Sequence, residues 1–180
     1  MPVIYLPNIS GQGSAFGIGD TTFTAFFSPS APAKWTWGAG PVVVLPTATD
    51  SQLGNDKWGL GLSAVVLTQP GNWVIGSLFS NVKSVGGGSG NDFNLFTWQY
   101  FINYNLEGGW YITSAPIITA NWEASSDDRW TVPFGGGVGR VMKFGKQPVN
   151  MSVQAYVNAA KPDIGPDWQL RLQFQMLFPK

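Results

Sequence analysis

The sequence predicts an all-β chain, an antiparallel up-and-down transmembrane β-barrel. Three observations predict it. Charge is sparse although no hydrophobic helix exists, apolar residues recur at every second position, and the connections alternate between short and long.

Charged residues make up 11% of the 180 residues and aromatics 14%, with 23 Gly and 13 Pro. Ordinary soluble domains carry about 25% charged residues, about 7% Gly and about 5% Pro. A membrane-spanning helix needs about 20 apolar residues in a row. Here the apolar runs are of the size of Val42-Val43-Val44-Leu45. Without Cys or His the chain can build no Cys/His zinc site, no disulfide and no Ser-His-Asp triad. A net charge of zero lacks the basic excess of a nucleic-acid binder. One domain over residues 1–180 suits this length.

Taken in chain order, residues 1–7 could form a short first strand. Residues 15–28 set Phe23, Ala25 and Phe27 against Asp20, Thr22 and Thr24. Segments 35–47, 58–68, 73–85 and 130–144 are noisier. Several place Gly on the presumed inner phase: Gly38, Gly40, Gly59, Gly61, Gly135, Gly137 and Gly139. Inner glycines suit a crowded lumen or a bend in the wall. Pro41, Pro116 and Pro133 interrupt such runs, and each is expected at a bulge or near a rim, because Pro cannot donate to a ladder.

The clearest strands follow. In 94–107, Phe96, Trp98, Tyr100, Ile102, Tyr104 and Leu106 oppose Thr97, Gln99, Asn103, Asn105 and Glu107, with Phe101 the exception. In 110–123, Trp110, Ile112, Ile118, Ala120 and Trp122 alternate with Thr113, Thr119, Asn121 and Glu123. In 147–159, Val149, Met151, Val153, Ala155 and Val157 oppose Asn150, Ser152, Gln154, Tyr156 and Asn158. From residue 168 the even positions read Trp168, Leu170, Leu172, Phe174, Met176 and Phe178. The odd ones read Gln169, Arg171, Gln173 and Gln175, with Leu177 apolar. Side chains alternate across a strand, so each of these segments has one apolar and one polar face. The total is about ten strands, all hidden from hydropathy averaging because each is half polar.

The links 145–147, 107–109 and 69–72 are short, and 161–167, 84–92 and 48–57 are long. Links 125–129, 28–34 and 8–14 are intermediate, the second being the weak point in the alternation. An outer-membrane barrel has short periplasmic turns and longer outside loops. Trp58, Trp122, Trp130 and Trp168 stand beside the longer loops and would form one aromatic girdle. Trp35, Trp73 and Trp110 begin strands at the other end and would form the second. Asp50, Asp56, Asp92, Asp127, Asp128, Asp163 and Asp167 lie in or beside the longer loops. Within the strands remain Asp20, Lys83, Arg171 on the polar phase and Arg140 on the apolar phase, near enough to a short turn to snorkel. A soluble β-sandwich is the competing architecture. It would have to cover every apolar stripe with a second sheet.

Blocks of the sequence also resemble a known family. They are Trp58-Gly-Leu-Gly-Leu-Ser-Ala-Val-Val-Leu, preceded by Val44-Leu-Pro-Thr-Ala-Thr-Asp and Leu53-Gly, then Asn121-Trp-Glu-Ala, Trp130-Thr-Val-Pro and Gly145-Lys-Gln-Pro-Val. The ending adds Gly165-Pro-Asp-Trp-Gln-Leu-Arg and Leu177-Phe-Pro-Lys. Together they resemble bacterial outer-membrane β-barrel transporters of the MetA-pathway of phenol degradation type, some of which carry the misleading label neuromedin U. The resemblance runs over nearly the whole chain. It implies an outer-membrane barrel, a channel for small neutral or hydrophobic, including aromatic, compounds. The partners it implies are outer-membrane lipid, lipopolysaccharide, the barrel-assembly machinery and a small-molecule solute, with no nucleic acid. Two departures stand out. Leu62 occupies a position where the family often has Pro. Members also have a secretion signal and further strands before the segment matching Met1-Pro-Val-Ile-Tyr-Leu-Pro, whose residues lack signal-peptide features. The chain is therefore expected to be a fragment, part of a barrel of 12 or more strands as the resemblance implies.

Other motifs carry little chemistry. Gly86-Gly-Gly-Ser-Gly and Gly135-Gly-Gly-Val-Gly lack the Gly-Lys-Ser/Thr ending and helix of a phosphate loop. Asp127 and Asp128 with Glu123 could chelate Ca²⁺ or bridge ions to lipopolysaccharide, against the plainer reading of a solvated acidic loop. Carboxylate pairs with no sugar cleft do not suggest a glycosidase. The sequons at Asn8 and Asn150 have no meaning in a bacterial outer membrane. No catalytic residue, metal or cofactor is expected. Phe101 and Tyr156 fall on the inner phase and stand apart from the lipid-facing aromatics.

The expected lumen lining is therefore Thr97, Gln99, Asn103 and Asn105, then Asn150, Ser152 and Gln154, then Gln169, Arg171, Gln173 and Gln175. Neutral amides and hydroxyls impose little charge selectivity. Two outcomes are weighed equally: a weakly selective pore, or a plug-like hydrogen-bond network in a barrel whose side chains fill it. Leu172→Arg, on the apolar phase, should cost about 2–4 kcal/mol in urea unfolding from bilayers. Gln173→Arg should be tolerated, and equal tolerance at both positions would contradict the facing.

Overall fold

The computed structural model describes residues 2–6, 14–30, 34–145 and 147–178. These residues are all-β and antiparallel. The chain opens with β1 (Val3–Leu6), β2 (Ala15–Ile18), β3 (Thr21–Thr24), β4 (Trp35–Leu45), β5 (Lys57–Thr68) and β6 (Trp73–Gly87). After β7 (Asn94–Asn105) come β8 (Trp110–Ser114), β9 (Ile117–Asn121), β10 (Trp130–Phe144), β11 (Gln147–Ala160) and β12 (Trp168–Met176). β1 and β2 form a separate hairpin. The others form one sheet in which sequential strands are neighbours from β3 to β12. β8 and β9 are two halves of one strand, since both lie between β7 and β10 in an unshifted register.

Register fixes the two faces. Gly76, Leu78, Ser80 and Val82 of β6 pair with Phe101, Gln99, Thr97 and Leu95 of β7, one common face. The opposite face carries Ile75, Phe79 and Trp98. That apolar face is turned out: Leu62 and Leu172 are each 73% exposed and Phe134 74%. The other face is concave. In a flat sheet β12 and β8 would lie about 14 Å apart, at about 4.8 Å per strand. Yet Arg171 Nη1 donates to the Ala115 carbonyl at 3.0 Å, across β11 and β10. The sheet is thus curled, barrel-like, with its polar face inside. Among the described residues no ladder joins β12 to β3.

Missing side chains on the inner face permit the curl. A Cβ on Gly76 would lie 2.2 Å from the Phe101 ring, and one on Gly139 would lie 2.2 Å from that of Tyr111. At Gly61 it would stand 2.0 Å from the Asn81 carbonyl oxygen, and at Gly137 1.9 Å from that of Val153. Gly61, Gly137 and Gly139 occupy the inner phase expected for them, and Gly76, which the sequence pattern did not single out, shares it.

Two expectations need correction. Residues 15–28 do not form one strand: β2 pairs with β1 and β3 with β4. The cause is a set of polar bonds to the β4–β5 loop. Asp20 accepts the amides of Ala48 (3.2 Å) and Asn55 (2.8 Å), and Thr49 N–H donates to the Ile18 carbonyl at 2.9 Å. The expected first strand is present as β1, while Met1 and Pro7 lie outside the described residues. The prolines also behave differently from one another. Pro133 sits at a register shift, as expected of a bulge. Pro116 instead breaks its strand mid-wall without shifting register. Pro41 lies within β4, and its missing donor faces β3 where that strand leaves regular pairing; its carbonyl still accepts Ala25 N–H at 3.2 Å.

If the ring needs the bare glycine, Gly76→Val should destabilise by about 1–3 kcal/mol through overpacking. Adding Phe101→Ala should recover part of that loss. Urea titration of the single and double variants measures the coupling.

Candidate functional site: the inner face

The inner face divides into two regions of different chemistry, and the wall strands decide which residues enter each. On the β7–β12 side a polar recess of about 340 Å³ is lined by Gln99, Phe101, Asn103 and Asn105, Tyr111 and Thr113, Asn150 and Gln154, and Arg171 and Gln173. Ala115, at the strand break before Pro116, also lines it. Pro116 has no N–H, and residues 115 and 116 leave the ladder, so Ala115 turns its backbone groups to side chains. The Ala115 amide donates to the Tyr156 hydroxyl at 3.1 Å, and its carbonyl accepts Arg171. The Tyr156 hydroxyl donates to Gln154 Oε1, and Gln154 Nε2 donates to Ser152 Oγ at 3.2 Å. The Arg171 guanidinium lies 5.3 Å from the centroid of the Tyr156 ring, a cation–π arrangement. Tyr111 donates to Asn150 Oδ1 at 2.8 Å. Tyr156 is 2% exposed, so this knot ties β8, β11 and β12 together inside the wall.

On the β3–β7 side lies a groove of about 410 Å³. Val42, Val44, Leu78, Val82, Phe93 and Leu95 form its apolar walls. Thr22, Thr24, Ser63, Ser80 and Thr97 supply hydroxyls, and Asp20 and Asn55 stand at one end. Asp20 and Asn55 also line a second space of about 390 Å³, among the loops that carry Asp50, Asp56 and Asn91. The groove therefore meets a polar, acid-rimmed vestibule.

Of the residues expected to line the lumen, Gln99, Asn103, Asn105, Asn150, Gln154, Arg171 and Gln173 meet in the recess. Thr97 lines the groove instead. Ser152 is buried beneath Gln154, and Gln169 donates to Asn158 Oδ1 at 2.9 Å. Gln175 is exposed on the edge strand β12. Phe101 and Tyr156 are inside, as their phase indicated. The groove residues of β4 and β6 were not anticipated, because those strands are apolar on both phases. A signal was present: Val42 and Val44 share parity with Gly38 and Gly40, and Leu78 and Val82 with Gly76.

Seven of the nine tryptophans fall in two groups at opposite strand ends. Trp122 and Trp130 pack edge to face at 5.6 Å, both against Phe96, while Trp58 and Trp168 begin β5 and β12 at the same end. Trp35, Trp73 and Trp110 begin β4, β6 and β8 at the other end, and Trp73 lies 4.7 Å from Tyr104. Arg140, on the outer face, reaches the Gly108 carbonyl at 3.3 Å and covers the Trp110 ring at 5.0 Å. Two outer tryptophans are likewise satisfied locally. Trp98 Nε1 donates to Ser77 at 2.8 Å and Trp122 Nε1 to Asn81 at 2.9 Å.

In the loops, Asp128 accepts the Ser125 hydroxyl and the Asp163 amide, and Asp127 accepts the Ser126 hydroxyl. Among the described residues no group of three or more carboxylates is placed to hold a metal ion. A hydrogen bond from Lys57 at 3.1 Å, helped by the Ser84 hydroxyl, holds the Asp92 carboxyl below its ordinary value. Its folded value being the lower, that loop contact is present above the ordinary carboxylate range and is lost as pH falls through the depressed value.

No family model, curated protein or solved structure matches the chain.

Removing the Tyr156 hydroxyl leaves the Ala115 amide without its acceptor. Tyr156→Phe should therefore cost about 1–3 kcal/mol. Hydrogen–deuterium exchange at Ala115 should accelerate while amides in the β5–β6 ladder stay protected, and unchanged exchange at Ala115 would refute the knot.

Proposed function

We propose that the chain is an outer-membrane β-barrel that passes small neutral or hydrophobic solutes. The outward apolar band, bounded at each end by tryptophans, is the observation that carries this reading. A water-facing sheet would not turn Leu62, Phe134 and Leu172 outward while placing Gln154 and Ser152 among its buried residues. Dimensions agree. β5 has 12 residues, about 40 Å at about 3.3 Å each, and a tilt of about 45° reduces this to about 28 Å of height. The apolar band of such barrels is about 25 Å tall. The hydrogen-bonded N–H groups of Trp98 and Trp122 on the outer face and a snorkelling Arg140 suit hydrocarbon, where an unpaired donor is costly.

The family resemblance supports the location more than the solute. Lipid and lipopolysaccharide are then the surroundings, and the assembly machinery the partner in folding. Among the described residues the outer edges of β3 and β12 carry no ladder, and further strands of a larger barrel, of about 12 or more, would pair there. A second reading, a non-conducting barrel with a filled interior, is favoured by the Arg171–Tyr156–Ala115 knot.

Two measurements decide among these. The folded protein should stay with detergent or bilayer; partition into water without detergent would return the soluble sandwich. Single-channel recording in planar bilayers should then show conductance, rising in Arg171→Ala as the knot is removed. Silence from folded, inserted protein would leave the filled barrel.

A further inference from the structure

We propose that the groove between β3 and β7 is a binding site for a small uncharged solute with an apolar body and a hydrogen-bonding head. The proposal rests on the channel reading above and locates its solute contact on one side of the inner face. Three observations carry it. First, the two sides differ in how their polar groups are used. In the recess, Arg171, Gln154 and Ala115 are committed to the network around Tyr156, and Gln99, Asn103, Asn105 and Gln173 leave the rest of the lining rich in amides. The groove presents Val44, Leu78 and Val82 beside the hydroxyls of Thr22, Thr24 and Ser80. Binding there removes more apolar surface from water than the recess offers.

Second, charge at the groove is confined to its end. Asp20 is the sole charged residue among the described residues lining it, and both its oxygens already accept backbone amides. It offers little to a cation but disfavours an anion approaching through the acid-rimmed vestibule, which Asp50 and Asp56 also line. Third, size fits. A volume of about 410 Å³ lies within the usual range of small-molecule sites, about 300–1,000 Å³. Shape and chemistry therefore select a single ring or short chain bearing a hydroxyl rather than a sugar or a carboxylate.

Fluorine NMR of 4-fluorobenzyl alcohol with the detergent-solubilised whole chain tests this, with empty micelles as the baseline. The expected result is a bound signal beyond micellar partition, with 4-fluorobenzoate binding at least about tenfold more weakly. Leu78→Trp, which fills the groove, should weaken alcohol binding by about tenfold or more. Ser80→Leu is a milder filling for use if the first variant folds poorly, folding being checked by heat-modifiable migration on gels. Gln173→Trp fills the recess instead. Alcohol binding lost there and kept in the groove variants would overturn the proposal, as would absence of binding above the micelle baseline. Failure of the channel reading shows separately, as solubility without detergent or silence in a bilayer, and neither result enters the binding measurement.

Discussion

Where Phe101 lies across Gly76 and Tyr111 across Gly139, a ring on one strand fills the space that a Cβ would take on its neighbour. Those contacts, with the close carbonyl approaches at Gly61 and Gly137, set the curvature on which everything else depends. A sheet whose inner face carried a side chain at every position would be held flatter by them. Arg171 could not then reach Ala115, and neither recess nor groove would exist. The entropy that glycine costs in a strand is offset by shape: it turns an amphipathic sheet into a wall with an inside.

The outer face follows the complementary rule. Several of its polar groups are met from the same face: Ser77 by Trp98, Asn81 by Trp122, and Arg140 by the Gly108 carbonyl and the Trp110 ring. Such pairings matter most where water is scarce. Tryptophan thus does two things here, marking the band's ends and supplying donors to acceptors within it.

Much of this was legible in the sequence because period-two alternation is a local property. The facing of β7, β11 and β12 follows from residues such as Trp98 against Gln99, or Leu172 against Arg171. The inner glycines and the tryptophan positions could also be read from spacing. What could not be read was non-local. The splitting of residues 15–28 depends on Asp20 meeting amides of Ala48 and Asn55, far along the chain. The groove went unseen because Val42, Leu78 and Val82 sit in strands apolar on both faces, where alternation falls silent and only the parity of neighbouring glycines tells inside from outside. The knot needed two strands, β11 and β12, and a broken third, β8–β9, to come together. Arg171 and Tyr156 each announced an inward direction, but not a common partner.

That partner is backbone, and this changes how the interior can vary over time. Ala115 contributes its amide and carbonyl rather than its side chain, so substitution at position 115 leaves both groups in place. The feature to be kept is the gap in the ladder, which Pro116 enforces by lacking a donor. A lineage can redecorate the amides around the recess while this fixed donor–acceptor pair persists, tying the inner chemistry to chain geometry more than to side-chain identity.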